Sequence, residues 1–365
     1  MSCSSPGIVT SHSTRSVYET TRDDLRAHPR VWLVTGAAGF IGSNLVQELL
    51  ALGQNVVGLD NFSTGHRANI DEALAADPAS ADRFRFIEGD IRDASACAAA
   101  CAGVNYVLHQ AALASVPRSI KDPVASTQVN VDGFLNVLVA ARDAGATRVV
   151  YASSSSVYGD ARTIPQVEHA TGRVLSPYAA TKATNEMFAS VFQRTYGLET
   201  IGLRYFNVFG RRQDPDGAYA AVIPRWTARL LNGEPCEIFG DGTTSRDFCY
   251  IANVVQANIL AATAPSGEAT GEAYNVACGN ETSLTQLFHL IRDNLASYVP
   301  DVSVMEPLYS AERAGDIRRS LADVSKAGRL LGYMPAYRVA EGMAEALRWY
   351  AAKFLPEASS AHATD

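Results

Sequence analysis

The chain has 365 residues, a formal net charge of −7, 47% hydrophobic residues and a mean hydropathy near zero. That length exceeds one small core and suits two lobes, and the acidic balance argues against a protein that coats nucleic-acid phosphates. No apolar run approaches the ~20 residues that span a bilayer, and the polar stretch from Ser2 to Thr21 lacks the apolar core of a secretory signal, so a cytoplasmic protein with no membrane or nucleic-acid partner is expected.

Along the chain, short apolar runs alternate with helical periodicity. Residues 31–35 form an apolar run that ends at Gly36, and residues 41–52 repeat with helical spacing. Further strands are predicted over 56–59, ending at Asp60, over 84–87, ending at Gly89-Asp90, and over 106–108, ending at His109-Gln110. A long helix follows over 124–144, a strand over 148–152, a helix over 177–196 and a strand over 200–203. This βαβα order with near-continuous apolar strands predicts an α/β fold, a Rossmann-type doubly wound parallel sheet. From Arg211 the rhythm breaks into loops rich in Gly, Asp and Pro, with two late helices over 323–331 and 340–353.

The expected organisation has four parts. An N-terminal extension (1–28) of no evident role precedes an NAD-binding Rossmann domain (29–205), to which segments near 248–278 return. A smaller mixed C-terminal substrate lobe covers 206–247 and 279–357, and a tail (358–365) has a disordered composition. The six cysteines, Cys3, Cys97, Cys101, Cys236, Cys249 and Cys278, are scattered and lack zinc-ligand spacing. They read as small apolar residues of a reduced compartment, with no metal site.

Gly36-Ala-Ala-Gly39-Phe40-Ile41-Gly42 lies between a predicted strand and a predicted helix. Glycines there let the chain turn, let backbone approach a pyrophosphate and let helix pack on strand, while the helix N-terminus offers N–H groups to the phosphates. Asp60 ends the second strand, where a carboxylate accepts from the adenosine ribose hydroxyls and repels a 2′-phosphate, which favours NAD over NADP. Asn61-Phe-Ser63-Thr64-Gly65 follows as a polar loop suited to ribose and phosphate, and Asp90-Ile91 ends the third strand on the same sheet edge, toward the adenine. Gln110 and Val208 complete the candidate cofactor set.

Tyr178-Ala-Ala-Thr-Lys182 puts a phenol and an ammonium one above the other on a helix face. A nearby ammonium lowers a phenol's pKa toward the range of a general base, so the pair is suited to take a proton from a sugar or alcohol hydroxyl. Ser153 to Ser156 follow the fifth strand at the sheet's carboxyl edge, where a hydroxyl can relay that proton.

Together the glycine fingerprint, Ser153-Ser-Ser-Ser-Val-Tyr-Gly159 and the Tyr178/Lys182 pair resemble the extended short-chain dehydrogenase/reductase family, from about Val31 to Leu355. Leu203-Arg-Tyr-Phe-Asn207-Val-Phe-Gly210, Ser245-Arg246-Asp-Phe248 and Arg313-Ala-Gly-Asp316 resemble its UDP-sugar 4-epimerases. The segments running from His109 to Ser119 and from Arg211 to Val222 are similar to the bacterial UDP-N-acetylglucosamine/N-acetylgalactosamine (or uronic acid) 4-epimerases of surface-polysaccharide pathways.

The resemblance implies an isomerase that uses bound NAD to pass through a transient 4-keto sugar. Tyr178 is then the base, Lys182 its partner and Ser154 the relay, with Ser155 and Ser156 lining the sugar. Asn207, Arg246, Arg313 and Asp316 face the UDP, and Ser115, Ala221 and Val222 add substrate contacts. An ion pair of Arg246 with Asp247, or of Arg313 with Asp316, is the alternative to phosphate binding. Ser320 stands where enzymes restricted to plain hexoses carry a tyrosine, which implies room for an N-acetyl group. A homodimer through the helices over 124–144 and 177–196 is also implied. The competing readings are a nucleotide-sugar 4,6-dehydratase or decarboxylase, whose dehydratases carry Asp-Glu where Ser155-Ser156 stand here, and a non-catalytic NAD-binding regulator.

Overall fold

Six parallel strands in the first 205 residues, and one strand from much later, make the central sheet. The computed structural model describes residues 15–216, 220–312 and 318–355. The first six strands are β1 (Val31–Thr35), β2 (Asn55–Asp60), β3 (Phe84–Glu88), β4 (Tyr106–His109), β5 (Arg148–Ser154) and β6 (Glu199–Tyr205). Across the sheet the order is Glu272–Val276, β6, β5, β4, β1, β2, β3, with every pair parallel. The order reverses between β1 and β4, and the carboxyl edge at such a point is where open α/β sheets hold ligands. Trp32, Leu33 and Val34, Val107 and Leu108, and Val149 and Val150 are all fully buried. Helices cover both faces of these strands, which is why they read as apolar runs without alternation.

The fold class is the one expected. The helix Ile251–Thr263 packs against β5, β6 and the helix Phe40–Ala51, and leads into the strand Glu272–Val276. Beyond the sheet lie short paired strands: Val208–Phe209 with Cys249–Tyr250, Glu237–Phe239 with Leu308–Ser310, and Ser245–Arg246 between Thr282–Ser283 and Arg319–Ser320. The helices Val222–Leu231, Leu284–Leu295 and Val339–Phe354 pack on one another around them.

Two elements differ from expectation. The helix predicted as one piece over 124–144 contains a π turn at Gln128–Asp132, between Pro123–Thr127 and Gly133–Asp143. The turn buries Asn130, whose Nδ2 donates to Thr181 Oγ1 at 3.1 Å and whose Oδ1 accepts from the Leu113 amide at 2.8 Å. The second difference is that the segment before β1, read as having no role, contains the helix Val17–Ala27. It opens on a capping box formed by Ser16 and Glu19. Gln54 fastens it: Nε2 donates to Leu25 O at 2.7 Å, while Oε1 accepts from the Arg30 amide and from Trp32 Nε1. Residues 1–14 and the tail 358–365 lie outside the described residues. Among the described residues no helix is long and apolar enough to cross a membrane, no cluster suits a metal ion, and Cys97, Cys101, Cys236, Cys249 and Cys278 are buried thiols.

Candidate active site

The glycine fingerprint folds as a cradle. Gly36 has φ +69°, and a Cβ there would stand 2.8 Å from the Ala111 amide nitrogen. A Cβ on Gly42 would run into the Gly36 carbonyl oxygen. Gly39 is the N-cap of Phe40–Ala51 and supplies no side-chain cap, so the first amides of that helix, those of Phe40, Ile41 and Gly42, face outward.

Asp60 is buried at the end of β2. Its Oδ2 accepts from the Ala38 amide at 2.9 Å and its Oδ1 from the Phe62 amide at 2.8 Å, so it shapes the glycine loop as well as facing the cleft. Burial pushes its carboxyl up, and those amides oppose the shift. Asn61 donates to Asp90 at 2.8 Å, and Arg92 grips the same carboxylate through two bonds of 3.0 and 2.7 Å. The Arg92 contact holds the Asp90 carboxyl down at about 2. Gly36, Asp60, Asn61, Ser63, Thr64, Asp90 and Ile91 line one cleft of about 180 Å³, together with Ala111, Leu113 and Val129. Gly65 abuts Ala38 too closely for a side chain. Gln110 is fixed beside them by Asn258 at 3.0 Å and Tyr205 at 3.1 Å, and Val208 begins the short strand beside Cys249.

The serine run divides at the end of β5. Strand alternation sends Ser153 and Ser154 to opposite faces. Ser153 Oγ donates to Glu186 Oε1 at 2.5 Å, away from the cleft. Ser154 hydrogen-bonds the Tyr178 phenol and accepts from the Ser156 amide at 3.1 Å. Ser155 opens the single 3-10 turn Ser155–Tyr158, and Ser156 Oγ is buried without a hydrogen-bond partner among the described residues.

Tyr178 sits in the first turn of the helix Pro177–Tyr196, and its amide donates to Ser119 Oγ at 3.0 Å. Lys182 is 2% exposed. Its Nζ donates to Ala152 O at 2.7 Å and lies 5.9 Å from the centre of the Tyr178 ring. Burial pushes the Tyr178 phenol up, and the Ser154 hydrogen bond is what opposes it. Burial also pulls Lys182 itself down to about 8.

A second wall comes from distant parts of the chain. Arg246 lies between two neighbours: Thr282 pairs with it antiparallel, and Ser320 is its parallel register partner. Asn207 adopts φ 21° and donates Nδ2 to Asp247 O at 3.1 Å. Ser115 caps the helix Val116–Lys121 by accepting from the Arg118 amide, and Ala221 is the N-cap of Val222–Leu231. Arg313 and Asp316 lie outside the described residues. The alternative pairing of Arg246 with Asp247 is not present. Asp247 is fully buried and accepts from the amides of Cys278 at 2.9 Å, Gly279 at 3.0 Å and Ala322 at 3.3 Å. Burial pushes its carboxyl up to about 6 despite those amides.

Sequence reasoning passed over Ser119, Asn130 and Asp247, each of which holds a site residue through backbone or through another side chain. The one available signal was polarity: Asn130 stands between Val129 and Val131 in the predicted helix. Asp247 stood in a recognised motif but entered only as the alternative ion-pair partner of Arg246.

The family model for the NAD dependent epimerase/dehydratase family matches residues 32–277. The UDP-glucose 4-epimerase of Mycolicibacterium smegmatis is 39% identical over 320 residues, covering 87% of this chain and 97% of that protein. Among solved structures, the UDP-N-acetylglucosamine 4-epimerase of Methanobrevibacter ruminantium, in complex with UDP-N-acetylmuramic acid, superposes with a TM-score of 0.81 at 36% identity, covering 89% of this chain and 99% of that one. The dTDP-glucose 4,6-dehydratase of Streptomyces venezuelae, with NAD bound, has a TM-score of 0.76 at 36% identity, covering 88% and 96%. The cradle described here fits the same group: two glycines where a Cβ has no room, an uncapped helix N-terminus, and a carboxylate at Asp60. NAD is the cofactor, and the chain belongs to the NAD dependent epimerase/dehydratase family.

Proposed function

We infer that this chain is a UDP-sugar 4-epimerase, and we propose that its sugar carries an N-acetyl group at C2, as UDP-GlcNAc or the corresponding uronic acid, for surface-polysaccharide synthesis. Tyr178 takes the proton of the C4 hydroxyl, and Ser154, bonded to the phenol, relays it. When bound, NAD supplies the hydride acceptor and donor at C4. Lys182 holds the nicotinamide ribose and keeps a cation beside the phenol. Asn207 and Arg246 hold the diphosphate, Arg246 through charge-assisted bonds, with Arg313 and Asp316 assigned to the same task by motif. Ser155, Ser156, Ser115, Ala221 and Val222 contact the substrate, and the unpartnered Ser156 hydroxyl supports that assignment. The keto sugar turns about its diphosphate linkage, and Tyr178 returns the proton with the opposite face presented.

The observation that carries the choice of sugar is Ser320. It is a small residue in register with Arg246, on the strand beside the assigned phosphate contact. The test is NMR-monitored turnover of UDP-GlcNAc beside UDP-glucose. A clear preference for the plain hexose sinks the N-acetyl reading, and Ser320→Tyr is expected to lose the acetylated substrate first. A dehydrated keto product would favour the 4,6-dehydratase instead; against it stand the hydroxyls of Ser155 and Ser156, which cannot abstract a carbon-bound proton as a carboxylate does. A homodimer completes the proposal. Val124, Met187 and Val191 are exposed on the neighbouring helices Pro123–Thr127 and Pro177–Tyr196, and light scattering at micromolar concentration is expected to report twice the chain mass.

A further inference from the structure

Tyr178, Lys182 and Glu186 occupy successive i, i+4 positions and so share one stripe of the helix. Lys182 is almost wholly buried, and the neutral Ala152 carbonyl is its hydrogen-bond acceptor. One carbonyl does not replace the hydration that an ammonium loses on burial. The carboxylate one turn further on is clamped from two strands. Its Oε1 accepts from Ser153 Oγ of β5 at 2.5 Å and from Arg204 Nε of β6 at 2.9 Å, and its Oε2 accepts from Arg204 Nη2 at 2.8 Å. Arg204 is itself held by Glu168 O at 2.9 Å and by the Tyr158 ring, 4.9 Å beneath its guanidinium.

The other charges around this stripe do not serve Lys182. His109, on β4, is held neutral, its pKa pulled to about 3 by burial and by Lys182. Burial pushes the Tyr151 phenol up, so it too is neutral. Glu168, His169, Glu272 and Lys326 share the cleft with Glu186 and Arg204, where Lys326 pairs with Glu272 at 2.8 Å and Glu168 accepts from the Asn275 amide at 2.9 Å. Glu186 is the anion that opposes the effect of burial on Lys182.

We propose that Glu186, clamped by Ser153 and Arg204, is a positioning residue that keeps Lys182 in its ammonium form beside Tyr178. The proposal rests on the reading of Tyr178 and Lys182 as the proton-transfer couple. It also accounts for the divided serine run: Ser154 serves the phenol directly, and Ser153 serves the lysine through the carboxylate.

The test follows Lys182 itself by NMR titration of 13Cε-labelled lysine, assigned with Lys182→Met, beside kcat and KM against pH for UDP-GlcNAc and UDP-glucose. Glu186→Gln keeps the shape and removes the charge. The expected result is a Lys182 titration about one pH unit lower, and a basic limb of kcat shifted equally, so that kcat falls roughly fivefold near pH 8 and mostly recovers by pH 6.5 with KM unchanged. Glu186→Asp restores most of the shift. A loss uniform in pH with an unmoved lysine titration overturns the proposal and leaves Glu186 a packing residue. If Glu186→Gln does not fold around an uncompensated Arg204, the double change Glu186→Gln with Arg204→Met removes both charges and is compared with Arg204→Met alone, and a Lys182 titration no lower in the double variant overturns the proposal equally. Lys182→Met tells the two readings apart, because full activity in that variant defeats the proton-transfer couple whatever Glu186 does.

Discussion

The cofactor cradle and the proposed substrate wall are built in different ways. The floor of the cradle comes from residues 36–65, with Asp90, Ile91, Ala111 and Leu113 at its rim, and its geometry is set by backbone: glycines where a Cβ has no room, a helix N-terminus, and Asp60 holding two amides of its own loop. The wall is assembled from Asn207, Arg246, Thr282 and Ser320, which no local segment joins. What joins them is Asp247. Its carboxylate gathers the amides of Cys278, Gly279 and Ala322, and its carbonyl takes the Asn207 side chain. A site made of contiguous backbone fails where its own few residues change. A site gathered by one buried carboxylate fails at a residue that touches no ligand.

The largest effect is expected at the seam between the two regions. Tyr178→Phe removes the proposed proton acceptor and is expected to lower kcat by about 10³, while bound NAD and UDP affinity stay as they were. Substantial residual epimerisation would mean that another group takes the proton. Next, Gly36→Val places a side chain against Ala111 at a backbone angle that favours glycine. The purified protein is expected to carry little NAD, by absorbance at equal protein concentration, yet to bind UDP by calorimetry. Asp247→Ala leaves three amides without their acceptor, a cost of about 1–3 kcal/mol for each buried group left unpaired. KM for the UDP-sugar is expected to rise at least roughly tenfold, with NAD content unchanged; equal loss of both ligands would break the comparison between cradle and wall.

The smallest effect is acid sensitivity at the cradle's rim. Arg92 holds the Asp90 carboxyl down at about 2, against an ordinary 3.8. A depressed folded-state value means that the contribution to stability is present above about pH 4 and is lost as pH falls toward 2. Asp90 and Arg92 are partly exposed, with side chains 25% and 49% accessible, so the pair contributes under about 1 kcal/mol. Asp90→Asn is expected to narrow the difference in Tm between pH 5 and pH 2.5 by only a degree or two.

The same contrast explains what the amino-acid sequence made legible. The central strands of the first half announced themselves as apolar runs, because the sheet is covered on both faces there, while the edge strand β3 showed as the alternation Phe84-Arg-Phe-Ile87 and is only partly buried. The fingerprint and Asp60 were readable because spacing alone specifies a turn and a helix N-terminus. The wall was readable only as motifs, and their mutual placement came from strand register between residues about 75 apart. The gathering role of Asp247 was not legible because local sequence carries no sign of burial. The i, i+4 spacing placed Lys182 beside the Tyr178 ring, while the direction of its ammonium toward Ala152 depends on β5 and not on its own helix. The helix Val17–Ala27 was missed although its Ser16/Glu19 capping box is a sequence signal; its short, strongly polar repeat hid the single buried Leu25.

The π turn at Gln128–Asp132 makes this helix one residue longer than its hydrogen bonds require. Removing Val129 would leave a regular α-helix, and each residue advances such a helix by about 100°. Asn130 would then turn away from Leu113 and Thr181, the two segments it now ties together beside the cofactor cleft and on the Tyr178 helix. The shortened chain should lose the stability of those two bonds and catalyse far worse. The extra residue thus serves to aim one carboxamide, at the expense of local regularity.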